Sequence, residues 1–388
     1  SMWWLAHIGM LPAFLYVFSI CIMYGNFIIY IMRNAECAKF YSYILRFLAF
    51  YFVVLGKIDI FGKLQLVVDK PYKIMKTISH KPAMIIAVCV LFAVLVASCH
   101  KDNANSSMRS VYYWGTTLDM DSAKTAFIKE YGITRMYVRY FDVVADEEGR
   151  AVPNATLKFA TSMPHGIDIV PTVFIMPGCL AQDRQQLAEQ IVKRVVQMNE
   201  TNDVYGVKEI QIDCDWTQST RRQYDDFMHA MLAECHSRKL LLSSTIRLHQ
   251  LAQSPPPADR GVLMVYNTGD ATDINCQKPI LDMRDVAPYL SGLAKYKLPL
   301  SAAYPIFSWR ILFRGGRFVG FIHYDGEYPV LPDDSILVRK PSVDDIHEAV
   351  RVIGNRRPDA NDEIILFDLS NHNINLLKHK DYEKIFNL

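Results

Sequence analysis

The sequence predicts an α/β protein, a closed (β/α)8 barrel that occupies residues 110–388. Eight short runs rich in β-branched and aromatic residues follow Ser110. Stretches with helical periodicity separate most of these runs. Eight strands alternating with helices in roughly 280 residues are the number and length expected of this barrel. Neither internal repeats nor a glycine-rich phosphate loop interrupts the alternation. A doubly wound open sheet is the alternative architecture.

Each element can be placed on the chain in order. The predicted strands are residues 110–115, 133–143, 167–175, 209–217, 239–248, 261–267, 298–307 and 362–370. Helices are predicted at residues 122–131, 183–198, 221–237, 285–295 and 343–355. Between strands two and three there is only the short segment 155–163. After strand seven, residues 311–331 predict a β-hairpin that turns at Gly315–Gly316 and lies over the barrel mouth.

The segment before the barrel has the pattern of a bacterial secretory signal. Residues 75–99 begin with basic side chains, continue with an apolar run from Met84 to Ala97, and close with Val-Ala-Ser-Cys. This ending resembles the lipobox of bacterial lipoproteins, which implies that Cys99 carries the lipid. A transmembrane helix with an incidental cysteine is the alternative. The polar residues 100–109 are then a tether.

The remaining segment, residues 1–74, is unusually apolar. We expect it to be translated upstream sequence, because a signal peptide stands at the start of a protein. A pair of membrane helices is the alternative, since Leu11 to Met32 is long enough to span a bilayer. Residue 100 is His rather than the Asp that retains lipoproteins in the inner membrane. The expected location is therefore the envelope of a Gram-negative bacterium, lipid-anchored in the outer membrane.

Composition narrows the classes of partner. The formal net charge of +2 gives no sign of nucleic-acid binding. The cysteines form no CxxC pair, and no HxH or HExxH spacing supports a metal site built from Asp213, Asp215 and His372. No cofactor is predicted, and a monomer is expected.

The stretch EIQIDCDWT at residues 209–217 contains the central candidate residues. Alternate side chains of a strand share a face, so Gln211, Asp213 and Asp215 point one way. Two carboxylates on one buried face are costly to desolvate. In a barrel whose active site lies at the carboxyl ends of the strands, they face inward, with Asp213 deeper and Asp215 near the opening.

The other strand ends carry aromatic and polar side chains. Such a combination suits a sugar, which stacks its apolar face on a ring while its hydroxyls form hydrogen bonds. The candidate substrate-binding residues are Trp114, Arg139, Thr217, Arg247, Tyr266, Asn267, Tyr304, Trp309, Asn371 and His372. An alternative for the arginines is structural: Arg139 or Arg247 simply pairs with Asp213.

Residues Ile212 to Trp216 resemble part of the D-x-x-D-x-D-x-E signature of chitinase-type glycoside hydrolases. Asp213 and Asp215 match its second and third aspartates. Thr217 stands where that family has its acidic Glu, and Ile210 stands where it has its first Asp. The resemblance implies a related barrel and leaves chitinase activity in doubt.

Across residues 108–388 the chain is also similar to a family of bacterial barrel lipoproteins of unknown function. The shared pattern is I-Q-x-D-x-D, a helix with Tyr224-Asp225-Asp226-Phe227, L-S-S-T, A-x-P-x-x-x-W from Ala303 to Trp309, and I-I-L-F-D. This similarity implies a barrel related to glycosidases and names no substrate.

Two functions are therefore predicted as alternatives. The first is a membrane-anchored glycoside hydrolase that acts on a polysaccharide or oligosaccharide outside the cytoplasm. Its catalytic candidates are Asp213, Asp215 and Asp368, with Asp215 as the acid and Asp213 disfavouring its ionised form. The second is a non-catalytic glycan-binding or scaffolding lipoprotein, as Thr217 indicates.

Overall fold

The computed structural model describes residues 107–387, and the predicted signal segment with Cys99 and residues 1–74 lie outside them. Eight parallel strands form one sheet, and strand one pairs with both strand eight and strand two. The sheet is therefore closed, which confirms the barrel and excludes the open sheet. Strands one to eight are Met108–Tyr113, Arg135–Ala145, Asp168–Ile175, Glu209–Asp213, Leu241–Arg247, Arg260–Met264, Leu300–Pro305 and Glu363–Phe367.

Within residues 107–387, five helices lie close to where the sequence predicts them, and a sixth, His379–Phe386, was not predicted. Their bounds are Ser122–Glu130, Arg184–Thr201, Arg221–Ser237, Met283–Val286, Val343–Arg356 and His379–Phe386. The helix predicted at 285–295 differs, because the α-helix ends at Val286 and two 3-10 turns follow. Pro288 lacks the N–H that an α-helical bond requires at this point, which explains the early end.

The insertion after strand seven is a small antiparallel sheet. Trp309–Arg314 and Arg317–Phe321 pair as a hairpin, and both turn glycines, Gly315 and Gly316, have positive φ, as a tight hairpin turn requires. The predicted hairpin is confirmed. A third strand, Asp334–Arg339, pairs with the other side of the first and was not predicted.

The short segment between strands two and three forms extended structure instead of a helix. Ala151–Asn154 pairs antiparallel with the end of strand two, and Lys158–Phe159 pairs with Thr117–Leu118. These short strands lie at the same end of the barrel as the carboxyl ends of strands one and two. Within residues 107–387, no helix has the length and apolarity that crossing a bilayer requires.

A layer of charged side chains closes the lower end of the barrel, which we call the floor. Arg135, Glu209, Arg260 and Glu363 begin strands two, four, six and eight. Layers built from alternate strands are typical of this barrel. Arg260 lies 2.9 Å from Glu209, and Arg135 lies 3.4 Å from Glu363. Because side chains fill the floor, access to the interior is from the opposite end, the mouth formed by the carboxyl ends of the strands.

Candidate functional site

Asp213 and Asp215 lie at the mouth end of strand four with different exposure. Asp213 is the last residue of the strand and is only 3% exposed. The side chain of Asp215, two residues on, is 58% exposed. The outward neighbours Ile210 and Ile212 are fully buried. The strand therefore has the inward and outward faces that the sequence predicts.

Arg247, at the end of strand five, bridges the two aspartates. Its Nη2 donates to Asp213 Oδ1 at 2.9 Å and its Nε donates to Asp215 Oδ1 at 2.7 Å. Thr245 Oγ1 donates a further bond of 2.6 Å to Asp213. Burial alone would lower the pKa of Arg247, but the two carboxylates raise it above its usual value. Asp213 is thus held in a buried ion pair, as the structural alternative proposed.

Arg139 forms a separate ion pair across the mouth. A β-bulge between Arg139 and Phe141 changes the alternation of strand two, so Asp142 follows Arg139 on the inner face. Arg139 donates to Asp142 through two nitrogens, with Nε at 2.8 Å from Oδ1. Its guanidinium also lies 5.5 Å from the centre of the Trp114 ring. Arg139 therefore neutralises Asp142 rather than Asp213.

Asp368 follows strand eight directly and has a different environment. It is half-buried, and no salt bridge reaches it within residues 107–387. Burial raises its pKa to about 6, although a hydrogen bond from the Asn373 side chain acts in the opposite direction. A carboxyl group in this state can hold a proton near neutral pH and release it readily. Asp368 is thus the candidate residue best suited to proton transfer.

Aromatic rings form a continuous cluster at the mouth, which we call the aromatic cluster. Phe367 lies 5.5 Å from Trp114, 5.0 Å from Tyr266 and 5.8 Å from Phe307 between ring centres. Phe307 lies 5.6 Å from Trp309. Trp114, Trp309 and Phe367 remain partly exposed, so part of each side chain can contact a ligand.

Tyr266 connects the aromatic cluster to the charged groups. Its hydroxyl is buried and has no hydrogen-bond partner within the described residues. Burial raises the pKa of Tyr266 well above its usual value, Arg247 lowers it, and the charges of Asp213 and Asp368 raise it further. Tyr266 is therefore close enough to Arg247, Asp213 and Asp368 to be affected by the charge of each. An unpartnered donor here is a position that a sugar hydroxyl can satisfy.

The other predicted residues lie in several places. Tyr304 is fully buried and donates to Asn361 at 2.7 Å, on the outer face of strand seven and away from the mouth, where Ala303 and Pro305 face inward instead. Thr217 is in an exposed turn, 2.8 Å from Ser219.

Three predicted residues lie in the loops above the strands. Asn267 is exposed, with φ of 56°. Asn371 donates to Asp121 at 2.5 Å. His372 lies 2.9 Å from Ser308 and so connects the loops that follow strands seven and eight. Within the described residues, no group of three or more His, Cys, Asp or Glu side chains is arranged to hold a metal ion.

Sequence reasoning missed two aromatic residues of the mouth, Phe307 and Phe367. The alternation of strand eight contains the signal for one of them. Glu363 faces the floor, and inward positions recur every second residue, so Phe367 follows at the mouth. Phe307 lies beyond the end of strand seven, where no alternation applies.

Comparison with solved structures finds barrels of similar topology. A chitinase from Chromobacterium violaceum ATCC 12472 is 12% identical with a TM-score of 0.49, covering 72% of this chain and 98% of its own. The spore cortex-lytic enzyme SleL of Bacillus cereus is 13% identical with a TM-score of 0.48, covering 72% and 74%. A chitinase from Bacteroides thetaiotaomicron is 13% identical with a TM-score of 0.44, covering 72% and 94%.

No family model matches the chain, and no curated protein matches it. Similarity to solved structures at this low level carries no argument about activity. The fold and the mouth residues define the class of protein as a closed (β/α)8 barrel with carboxyl groups, arginines and aromatic rings around its mouth. Its chemistry has to be inferred from those side chains.

Proposed function

We propose that the protein is a glycoside hydrolase-type barrel that binds a glycan in its mouth and cleaves it with Asp368 as the general acid. The observation that supports this role is the half-buried position of Asp368, to which no salt bridge is formed within residues 107–387. Burial there raises its pKa to about 6. A general acid is most effective when its pKa lies near the working pH. The acid is thus reassigned from Asp215, which is exposed and ion-paired with Arg247.

Glycoside hydrolysis ordinarily requires a second carboxyl group in the opposite protonation state. Asp215 is our candidate, because it is exposed at the mouth and accepts a hydrogen bond from Arg247. In this scheme Asp368 donates a proton to the leaving glycosidic oxygen. Asp215 then acts on the other side of the bond, where it stabilises positive charge on the sugar or activates water. Asp213 holds Arg247 in place, and Arg247 also donates to Asp215.

The aromatic cluster supplies the binding surface in this proposal. Trp114 and Trp309 present partly exposed rings on which the apolar face of a sugar can stack. The hydroxyl of Tyr266 has no partner within the described residues, so a sugar hydroxyl there satisfies a buried donor. Ring stacking and polar contacts are therefore available at one site.

A second candidate function is glycan binding without turnover. Two observations favour it: Arg247 neutralises both aspartates of strand four, and Thr217 supplies no carboxyl group where chitinase-type enzymes have their acid. In this case the mouth keeps its aromatic surface but transfers no proton. The two candidates differ in one measurable property, the release of new reducing ends.

Anchoring by a lipid on Cys99, in the outer membrane of a Gram-negative cell, remains part of the proposal. Support comes from the lipobox-like Val-Ala-Ser-Cys sequence. Metabolic labelling with a fatty acid tests it: label should appear on the protein and disappear in Cys99→Ala. Label that persists in this variant, or never appears, would reject the anchor without bearing on the mouth.

A screen of the protein against varied polysaccharides, read as new reducing ends and as affinity, tests the function. Release of reducing ends that is lost in Asp368→Asn supports the hydrolase. A matched control is Asp362→Asn, the same substitution at an exposed residue just before the floor end of strand eight. Binding without release supports the second candidate, and absence of both rejects a glycan function.

A further inference from the structure

The loops that follow strands seven and eight enclose a cavity of about 200 Å³ beside the mouth, which we call the side cavity. Its walls include Phe307, Lys340, Ser342, Leu377, Lys378 and Asp381. Phe307 also belongs to the aromatic cluster, where it lies 5.9 Å from Tyr266 between ring centres. The side cavity and the mouth therefore share a wall.

The size of the side cavity limits what it can hold. Sites for drug-sized ligands have volumes of roughly 300–1,000 Å³, so this smaller cavity suits a single ring. Part of its lining is apolar, with Phe307 almost fully buried and Leu377 partly buried. A sugar ring has an apolar face that can pack against such a wall.

The charges at the rim favour an anion. Lys340 and Lys378 are exposed, and no salt bridge within residues 107–387 involves either of them. Asp381 is the carboxylate of the lining, and its Oδ2 accepts the backbone N–H of Lys378 at 3.2 Å. Helix Val343–Arg356 also begins here, but its first turn already contains Asp344 and Asp345. The lysines, rather than the helix dipole, therefore supply the attraction.

We infer that the side cavity takes an acidic sugar unit, bearing a carboxylate or a sulfate ester, from a glycan whose neighbouring units occupy the mouth. The inference rests on the proposed function and adds a substrate class to it. The ring of the acidic unit packs on the Phe307 wall while its anion faces Lys340 and Lys378. A neutral unit gains nothing from the lysines, so the cavity selects for charge.

Matched pairs of probes separate charge from shape: oligogalacturonate against its methyl ester, and dextran sulfate against dextran. The protein is expected to bind an acidic member about tenfold more tightly than its neutral counterpart. Lys340→Ala/Lys378→Ala should reduce the difference to about twofold or less. Lys380→Ala removes one lysine charge from an exposed position that does not line the cavity, and should leave the preference unchanged.

Comparing the galacturonate pair of probes with the dextran pair distinguishes a carboxylate from a sulfate as the recognised group. A preference that survives the double substitution, or that falls equally in Lys380→Ala, would overturn the inference. So would equal affinity for acidic and neutral glycans, which leaves the proposed function standing. Failure of every glycan to bind, neutral or acidic, would reject both. Both variants change only exposed side chains, and unchanged melting temperatures establish that each is folded.

Discussion

The floor and the mouth of the barrel both contain arginines and carboxylates, but they balance them differently. On the floor, Arg260 lies 2.9 Å from Glu209 and 3.7 Å from Glu363, and Arg135 also reaches Glu363. Every carboxylate there faces an arginine. At the mouth, two arginines neutralise three aspartates, and Asp368 has no cation within the described residues.

This difference in charge pairing indicates that the floor contributes mainly to stability and the mouth mainly to function. Removing one partner from a buried ion pair leaves an uncompensated charge, which is strongly destabilising. A carboxyl group that has no ion-pair partner contributes little to such a network, and a partly buried group of this kind is a candidate for a functional role. We interpret the floor as structural and the unpaired Asp368 as functional.

Breaking the floor should have the largest effect on stability. Arg260→Met leaves Glu209 and Glu363 without their shared partner, and we expect a loss of about 3–5 kcal/mol in the free energy of unfolding. Chemical denaturation measures it. Arg284→Met is the control, because that side chain is 86% exposed and its replacement should change little. Similar stability of the two variants would contradict a structural floor.

Removing the carboxyl group at the mouth should instead affect activity. Asp368→Asn is expected to lower the rate of glycan hydrolysis by about 10²–10⁴-fold, the contribution typical of a general acid. Affinity for the glycan and the far-UV spectrum should be retained. Hydrolysis by Asp368→Asn at the wild-type rate would rule out this residue as the acid.

The pH dependence of stability should also identify Asp368. Its pKa is raised from 3.8 to about 6, so the folded state binds the proton more tightly than the unfolded chain. The resulting stabilisation is full below pH 4 and is lost as pH rises through 6, by about 3 kcal/mol. Asp368→Asn cannot ionise, so its stability relative to wild type should increase over this range. A difference that stays constant with pH would show that the carboxyl is not desolvated.

Two tyrosines allow the smallest and most closely matched comparison. Tyr304 donates to Asn361 on the outer face of the sheet, so Tyr304→Phe should cost about 1 kcal/mol of stability and leave glycan affinity unchanged. Tyr266 has no partner at the mouth, so Tyr266→Phe should cost little stability and weaken glycan binding severalfold. Calorimetry of both variants measures the two quantities, and the opposite pattern would reverse the assignment of inner and outer faces.

Much of this arrangement could be predicted from the sequence because it depends on local alternation. The period of two in strand four places Asp213 and Asp215 on the inner face. The sequence predicts Tyr304 at the mouth, whereas it lies on the outer face. The inward residues of strand seven, such as Ser301 and Ala303, are small and give little indication of which residues of the strand face inward. Pro288 marks a helix end that periodicity alone concealed.

The ion-pair partners at the mouth depend on contacts between strands. Sequence left Arg139 and Arg247 as alternatives for Asp213. Strand five is adjacent to strand four, whereas strand three separates strand two from it, so barrel order favours Arg247. The pKa of Asp368 could not be predicted, because desolvation depends on side chains brought together from several strands.

The pKa of the Asp368 carboxyl group tests the central claim most directly. This pKa can be measured by following the chemical shift of the side-chain carboxyl carbon by NMR as pH is varied, with Asp368→Asn used to assign the signal. We predict a midpoint near 6, as expected for a desolvated carboxyl at the mouth. A midpoint near the ordinary value of 3.8 would leave almost no protonated Asp368 at neutral pH, and this would contradict its role as the proton donor.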